Sequence, residues 1–140
     1  MIYTVPFNPA IDYVVQADRL ITGSVNRSRS EQIYFGGKGI NVSFVLSQLG
    51  VTSTALGFTA GFTGKAIEES VSEAGIKTDF VRLEKGCSRI NVKIKTDTET
   101  ELNGQGPDIP DEAIQALYQK LDALADGDIL VLAGSVPASL

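Results

Sequence analysis

The sequence predicts an α/β fold built on a parallel sheet, with a small antiparallel β flap. Three observations carry this. Apolar strands alternate with glycine-terminated helical segments in the order β, α, β, α over the first 75 or so residues. Ile129-Leu130-Val131-Leu132-Ala133 is a continuous apolar run, the pattern of a strand buried on both faces of a parallel sheet. Arg89 to Lys95 sets Ile90, Val92 and Ile94 against Arg89, Asn91, Lys93 and Lys95, the alternation of a sheet with one wet face.

Taken in order, Ile2 to Val5 is a short strand that passes through Asn8-Pro9 into a second extended run, Ile11 to Val15. After a turn at Thr22-Gly23-Ser24, Val25 to Phe35 reads as a strand with Arg27, Arg29 and Glu31 on one polar face. Gly36-Gly37-Lys38-Gly39 ends it and opens a helix from Ile40 to Leu49, whose Val42, Val45, Leu46 and Leu49 fall on one side and which Gly50 stops. Ser53 to Phe58 is the next strand. Thr63 is placed to cap a helix running to Ala74, with Ile67, Val71 and Ala74 as its stripe. Thr78 to Leu83 and Arg89 to Lys95 are strands, and Thr96 to Thr98 turns the second back through Glu101-Leu102 to form the flap. Pro110-Asp111-Glu112 starts a helix that buries Ile114, Leu117, Leu121 and Leu124 and stops at Asp126-Gly127, before the apolar strand from Ile129.

A length of 140 residues suits one domain, and 43% hydrophobic with 21% charged residues is the composition of a chain with a real core. There is no histidine, which removes Ser-His-Asp and Cys-His catalysis and every histidine-containing zinc site. Chemistry must come from carboxylates, lysines, arginines, amides and the backbone. The single cysteine, Cys87, forms no internal disulfide and reads as a passive small residue, which points to a cytoplasmic setting. A net charge of −5 and a pI near 4.6 argue against nucleic acid as partner. The N-terminus lacks the charged and apolar regions of a signal peptide, and no run approaches the about 20 apolar residues of a membrane span. Neither export nor a membrane location is expected.

The Gly36-Gly37-Lys38-Gly39 loop is the strongest local signal. Bare backbone N–H groups, a helix N-terminus and the Lys38 charge together suit an anion, although a tight strand-to-helix turn with a solvent lysine has the same sequence. It is no Walker A loop, since Tyr34 stands where the first glycine is needed and Ile40 where the lysine is; Val42 likewise breaks G-x-G-x-x-G. Gly57 to Ala66 imitates a phosphate loop but fails at Thr59 and Ala66. Asn41 can bond ligand hydroxyls or its own backbone, and Asp12 can hold two hydroxyls or end a turn. Arg27, Arg29, Lys38 and Arg89 converge on one phosphate only if the flap strands lie over the Gly36 loop.

Four segments in order, Asn8-Pro9-Ala10-Ile11-Asp12, Gly36 to Ser43, Ser88 to Lys93 and Ala133-Gly134-Ser135-Val136-Pro137, together resemble the N-terminal half of the ribokinase-like (PfkB) carbohydrate kinases. Within that family the likeness is to kinases of hexose phosphates, of the 1-phosphofructokinase kind with tagatose-6-phosphate kinases as near relatives. The resemblance covers essentially all 140 residues. It implies a three-layer α/β sandwich with a mainly parallel sheet and a β lid, from segments about 12–35 and 87–104, that closes over the sugar and pairs with a second copy to make a homodimer. It implies ATP and Mg²⁺ as cofactors and phosphorylation of fructose 1-phosphate on its 6-hydroxyl. Carried over by position, Asp12 and Asn41 would bind sugar hydroxyls, Gly37 would give a backbone contact, Lys38 and Arg89 would neutralise the phosphate, Ser135 would line the cleft and Arg27 would stand at the lid entry.

The family's Gly-Ala-Gly-Asp segment, which carries the catalytic base and the anion hole, does not occur here. No catalytic residue is therefore expected within residues 1–140, and the general base is expected beyond Leu140. These residues would form the N-terminal part of one ribokinase-like domain, hold most of a sugar-phosphate site, and transfer no phosphoryl group alone. The lack of a covering helix after Ala133 supports the same expectation. Two other readings stay open on the residues: a module that binds a sugar phosphate without chemistry, and an inert fragment whose exposed core makes it self-associate.

Overall fold

The computed structural model describes all residues 1–140. In chain order the elements are β1 (Ile2–Val5), β2 (Ala10–Gln16), β3 (Ser30–Gly36), α1 (Lys38–Gln48), β4 (Ser53–Ala55), β5 (Phe58–Ala60), α2 (Gly61–Glu73), β6 (Lys77–Thr78), β7 (Val81–Leu83), β8 (Arg89–Lys95), β9 (Glu99–Asn103), α3 (Asp111–Asp122) and β10 (Ile129–Leu132). The central sheet runs β10-β1-β4-β6 with every pairing parallel, and β5 and β7 form a separate parallel pair. No helix is long and apolar enough to cross a membrane.

The alternation of β1 explains the layering. Thr4 points to one face, where its hydroxyl shares a 2.6 Å hydrogen bond with Ser43 of α1, and Val5 points to the other. Ile40, Ala55, Ile67, Val71, Ile76 and Phe80 close the core on the α1–α2 side. Val5, Leu56, Phe58, Val81 and Leu83 meet Ile109, Ala113 and Leu117 on the α3 side. Helices on both faces of a parallel sheet give three layers.

A second sheet, β3-β2-β8-β9, stands out from this body. It mixes antiparallel β2–β3 and β8–β9 hairpins with a parallel β2–β8 junction. Its register places Asp12 beside Tyr34 and Asn91, and Asn91 beside Asn103, so one face is polar. The opposite face carries Ile33, Ile90 and Leu102, exposed by 59%, 42% and 73%. The alternation expected over β8 has its exposure inverted at the start of the strand, where Asn91 is buried and Ile90 is open.

Other expectations need correction. Residues 25–29 are not strand, because the Asn26 amide donates to the Ile21 and Ser24 carbonyls and accepts from the Ile21 N–H, a local closure that competes with the ladder. The strand read as Ser53 to Phe58 splits into β4 and β5 at Gly57, which is pressed so closely on the Pro6 carbonyl that a Cβ there would collide. The strand read as Thr78 to Leu83 splits likewise into β6 and β7. Helix α2 starts at Gly61, and Thr63, instead of capping it, donates its hydroxyl to the Ser88 carbonyl at 2.7 Å.

Two apolar runs are open where burial was expected. On α1 the sheet-facing positions are Gly39, Ile40 and Ser43, leaving Val45 and Leu49 exposed. Strand β10 lies in a parallel sheet as expected, paired with β1, but it is the edge of the sheet and not buried on both faces, with Ile129 at 55% and Leu132 at 61% exposure. Its free edge and apolar faces are an association hazard. The 140-residue chain should therefore sediment as concentration-dependent oligomers, and the double variant Ile129→Lys, Leu132→Glu should shift that distribution toward monomer. An identical distribution for parent and variant would show that β10 is not the sticky edge.

Candidate functional site

The site forms where β1, β2, α1 and β10 end or begin together. Helix α1 starts at Lys38 with Gly37 as its N-cap, in a left-handed conformation at φ 98°, and no acidic residue lies in the first turn. The leading N–H groups of a helix have no acceptor within it, and the helix dipole adds positive potential there. Gly39 lets this turn press against the strand ends: a Cβ at that position would stand 2.7 Å from Pro6 Cα and 2.9 Å from the Ala133 carbonyl oxygen. From the other side Gly134 comes up against Lys38 and Gly39, with its Cβ position 3.6 Å from the Gly39 nitrogen.

Asp12 and Asn41 flank Gly36. A Cβ at Gly36 would lie 3.4 Å from Asp12 Oδ2 and 3.6 Å from Asn41 Oδ1, so a carboxylate of the second sheet and a helix amide share one small space. Asn91 Nδ2 donates to the other carboxylate oxygen, Asp12 Oδ1, at 3.0 Å. Arg89 enters from β8, donating Nε to the Asn8 carbonyl at 3.0 Å. The Cβ position of Gly37 is 3.7 Å from that same oxygen, so the carbonyl that Arg89 binds lies against the N-cap of α1. Asn8 is itself buried; its Nδ2 donates to the Gln105 carbonyl at 2.8 Å, while its Oδ1 has no partner.

The structure thus brings together Asp12, Gly37, Lys38, Asn41 and Arg89, with Ser135 on the rim next to Gly134. Arg27 is not among them. It is exposed beyond the far end of the β2–β3 ladder, whose near end is Ala10–Gly36, about 20 Å away along the strands at about 3.3 Å per residue. Arg29 is at the same far end and pairs with Asp18 at 2.8 Å. The expected convergence of four cations is corrected: Arg27 and Arg29 both precede the strand, which begins only at Ser30, and drop out of the set. Leu140, beyond which the general base is expected, takes no part in the cleft: it is exposed, and its N–H closes a turn on the Pro137 carbonyl at 3.0 Å.

Sequence reasoning misses Asn8, Asn91 and the Gly104-Gln105 segment as parts of the site. The signal available was two asparagines inside the motif segments, each four residues or fewer from a predicted ligand. Lys93 stands on the same lid face and donates to Glu101 at 3.1 Å. That hydrogen bond holds the ammonium above its usual range, with Asp12 adding a smaller attraction, and holds the Glu101 carboxyl below its own.

The main surface hollows lie elsewhere. One groove runs between β7 and α3, lined by residues such as Leu83, Lys85, Ile109 and Ala113. A notch beside α2 is filled by Glu68, which accepts from Thr59 and from Arg82 Nη2 at 2.8 Å and so ties α2 to β5 and β7. The groups in that notch satisfy one another, whereas Asp12 Oδ2, the Arg89 terminal nitrogens and the Lys38 ammonium make no hydrogen bond within the protein. The candidate site is a surface with uncommitted polar groups, better suited to a ligand than a satisfied notch.

Comparison with known proteins follows the same segments. The model of the pfkB family carbohydrate kinases matches residues 6–140. The chain belongs to the PfkB family of carbohydrate kinases. It is 51% identical to a 1-phosphofructokinase of Bacillus subtilis, all 140 residues aligning with 46% of that protein. It is 43% identical to a D-tagatose-1-phosphate kinase of Bacillus licheniformis, over 98% of this chain and 45% of the relative. A Staphylococcus aureus crystal structure described as a phosphofructokinase superposes with a TM-score of 0.93 at 45% identity, covering all of this chain and 45% of the other. The chain spans about half the length of the curated relatives it matches.

The tight seat of α1 generates a test. Gly39→Ala forces a methyl group into two backbone groups that cannot both retreat, and should cost roughly 1–3 kcal/mol in urea denaturation. A Gly39→Ala chain as stable as the parent would mean that α1 is not pinned between Pro6 and Ala133.

Proposed function

We propose that this chain is the sugar-phosphate-binding part of a kinase that moves the γ-phosphoryl group of ATP to the 6-hydroxyl of fructose 1-phosphate. The observation that carries the proposal is that the Asn8 carbonyl, which accepts from Arg89 Nε, lies against Gly37, the N-cap of α1. A phosphorylated ketose brings about two negative charges at one end and hydroxyls along its length. Arg89, Lys38 and the helix N-terminus suit the phosphate, since charge-assisted bonds from guanidinium and backbone donors are the strong ones. Asp12 and Asn41 suit the hydroxyls. Gly37 supplies backbone, and Ser135 closes the β10 side. The relatives' names point to ketohexose phosphates as substrates, and two of the nearer ones are kinases of 1-phosphates.

In the transfer, the 6-oxygen forms a bond to the γ-phosphorus as the bond to the ADP oxygen breaks, and the hydroxyl proton goes to a base. No Gly-Ala-Gly-Asp segment for that base exists among these residues. Nor is any group of three or more histidine, cysteine, aspartate or glutamate side chains gathered among them. The base, the nucleotide contacts and the Mg²⁺ of MgATP are assigned to a C-terminal part of the same domain, beyond Leu140. The lid over the sugar excludes water, which protects the transfer from hydrolysis.

Calorimetric titration of the 140-residue chain with fructose 1-phosphate should give saturable binding without ADP formation from ATP. Arg89→Ala should weaken it roughly 10- to 100-fold, the loss of a charge-assisted contact. Equal affinity in parent and variant would remove Arg89 from the site. With the full-length kinase, a dominant rate on fructose 6-phosphate or tagatose 6-phosphate would overturn the substrate choice.

The apolar lid face supports a second copy as partner. Ile33, Ile90 and Leu102 form an open stripe that a like stripe would cover. Ile33→Glu with Leu102→Glu should convert a homodimer of the full-length protein to monomer in sedimentation velocity. A dimer that persists would place the interface elsewhere.

A further inference from the structure

Asp12 has two carboxylate oxygens in different circumstances. Oδ1 accepts from Asn91 at 3.0 Å, and Oδ2, next to Gly36 and Asn41, is uncommitted. Asn91 is 8% exposed, so its amide is held in place. Its own Oδ1 accepts from the Gly104 backbone N–H at 3.2 Å. One amide therefore donates toward β2 and accepts from the chain leaving β9, and it is the bridge that joins Asp12 to that exit segment. The segment continues into Gln105, whose carbonyl accepts from Asn8, the residue that also holds Arg89.

We propose that Asn91 is a positioning residue for sugar binding: it fixes one Asp12 oxygen so that the other is presented to the sugar hydroxyls, and it locks that geometry to residues 104–105. The inference rests on the reading of this cleft as a sugar-phosphate site. An amide meets both demands whatever the pH, since the position needs a donor on one side and an acceptor on the other. Leucine supplies neither. An ionised carboxylate keeps the acceptor for Gly104 but turns a donor into a second negative charge facing Asp12. A protonated carboxyl group restores the donor and keeps the acceptor, so it imitates the amide.

The N91D variant therefore tests the role through pH. Two carboxyl groups this close cannot both ionise readily, so one holds its proton to higher pH than usual. As pH falls the proton returns and the donor with it; as pH rises the donor is lost. The charged groups on the same lid face are Arg89 two residues before, Lys93 two residues after and Glu101 bonded to Lys93, with Lys38 at the start of α1.

The experiment is calorimetric titration of fructose 1-phosphate into the parent, N91D and N91L chains from pH 5 to pH 8.5, taking the ratio of variant to parent Kd at each pH. The ratio cancels titration of the sugar's own phosphate, whose second pKa is about 6. N91D should bind within about threefold of the parent at pH 5 and at least about tenfold more weakly at pH 8, whereas N91L should be weakened by one factor throughout. A flat N91D ratio, or N91L binding like the parent, overturns the role of Asn91 while leaving the site reading intact. A parent that does not bind the sugar phosphate at all overturns the site reading and this inference with it. Should N91L fail to fold, as thermal melting would show, N91D against the parent still decides.

Discussion

The first turn of α1 is wedged between the end of β1 and the exit of β10, and the rest of the site depends on that wedge. A parallel sheet delivers all its strand ends to one edge, and a helix that begins at that edge can offer its unsatisfied N–H groups there. Here Pro6 and Ala133 leave no room for a side chain at Gly39, so the turn sits directly against both strand ends. The glycine is a packing requirement first and a ligand feature second. The same seating sets Gly36 and Gly37 against the start of β2, which is how a lid strand and a core helix come to share one cleft.

The lid is joined to that cleft by two asparagines. Asn8 holds Arg89 through its carbonyl and the exit from β9 through its amide; Asn91 holds Asp12 and the same exit. Each is buried, and buried amides without bonds are costly, so these links resist loosening. The lid consequently has two chemically distinct faces, one polar and tied down over the cleft, the other aliphatic and open. The central sheet shows a like contrast, where β10 presents leucine and isoleucine at an unpaired edge.

Much of this was legible from residue order. The strand at Arg89 to Lys95, the helix opened by Gly37-Lys38-Gly39, and the parallel strand at Ile129 were readable because each is a local pattern of period two, of period 3.6, or of continuous apolarity. Asp12, Asn41, Lys38 and Arg89 were legible as a set only through the likeness of four ordered segments to a family. Contacts that cut across those periods were not. Asn26 ends a ladder by bonding back to Ile21, and Gly57 breaks a strand because Pro6, some fifty residues earlier, occupies the space beside it. Neither event leaves a periodic trace. The exposure of Val45, Leu49 and Leu132 was equally hidden, because hydropathy states what a side chain prefers and not whether a covering element is present.

One cleft that gathers α1, Asp12 and Arg89 around a sugar phosphate is the claim on which the functional reading stands. Two-dimensional NMR of the ¹⁵N-labelled chain during addition of fructose 1-phosphate tests it most directly. The largest shifts should fall on the backbone amides from Gly36 to Asn41 and on the Arg89 side-chain Nε–H, with Gly134 and Gly104 following. Shifts concentrated instead in the groove between β7 and α3, with those groups unmoved, would contradict it.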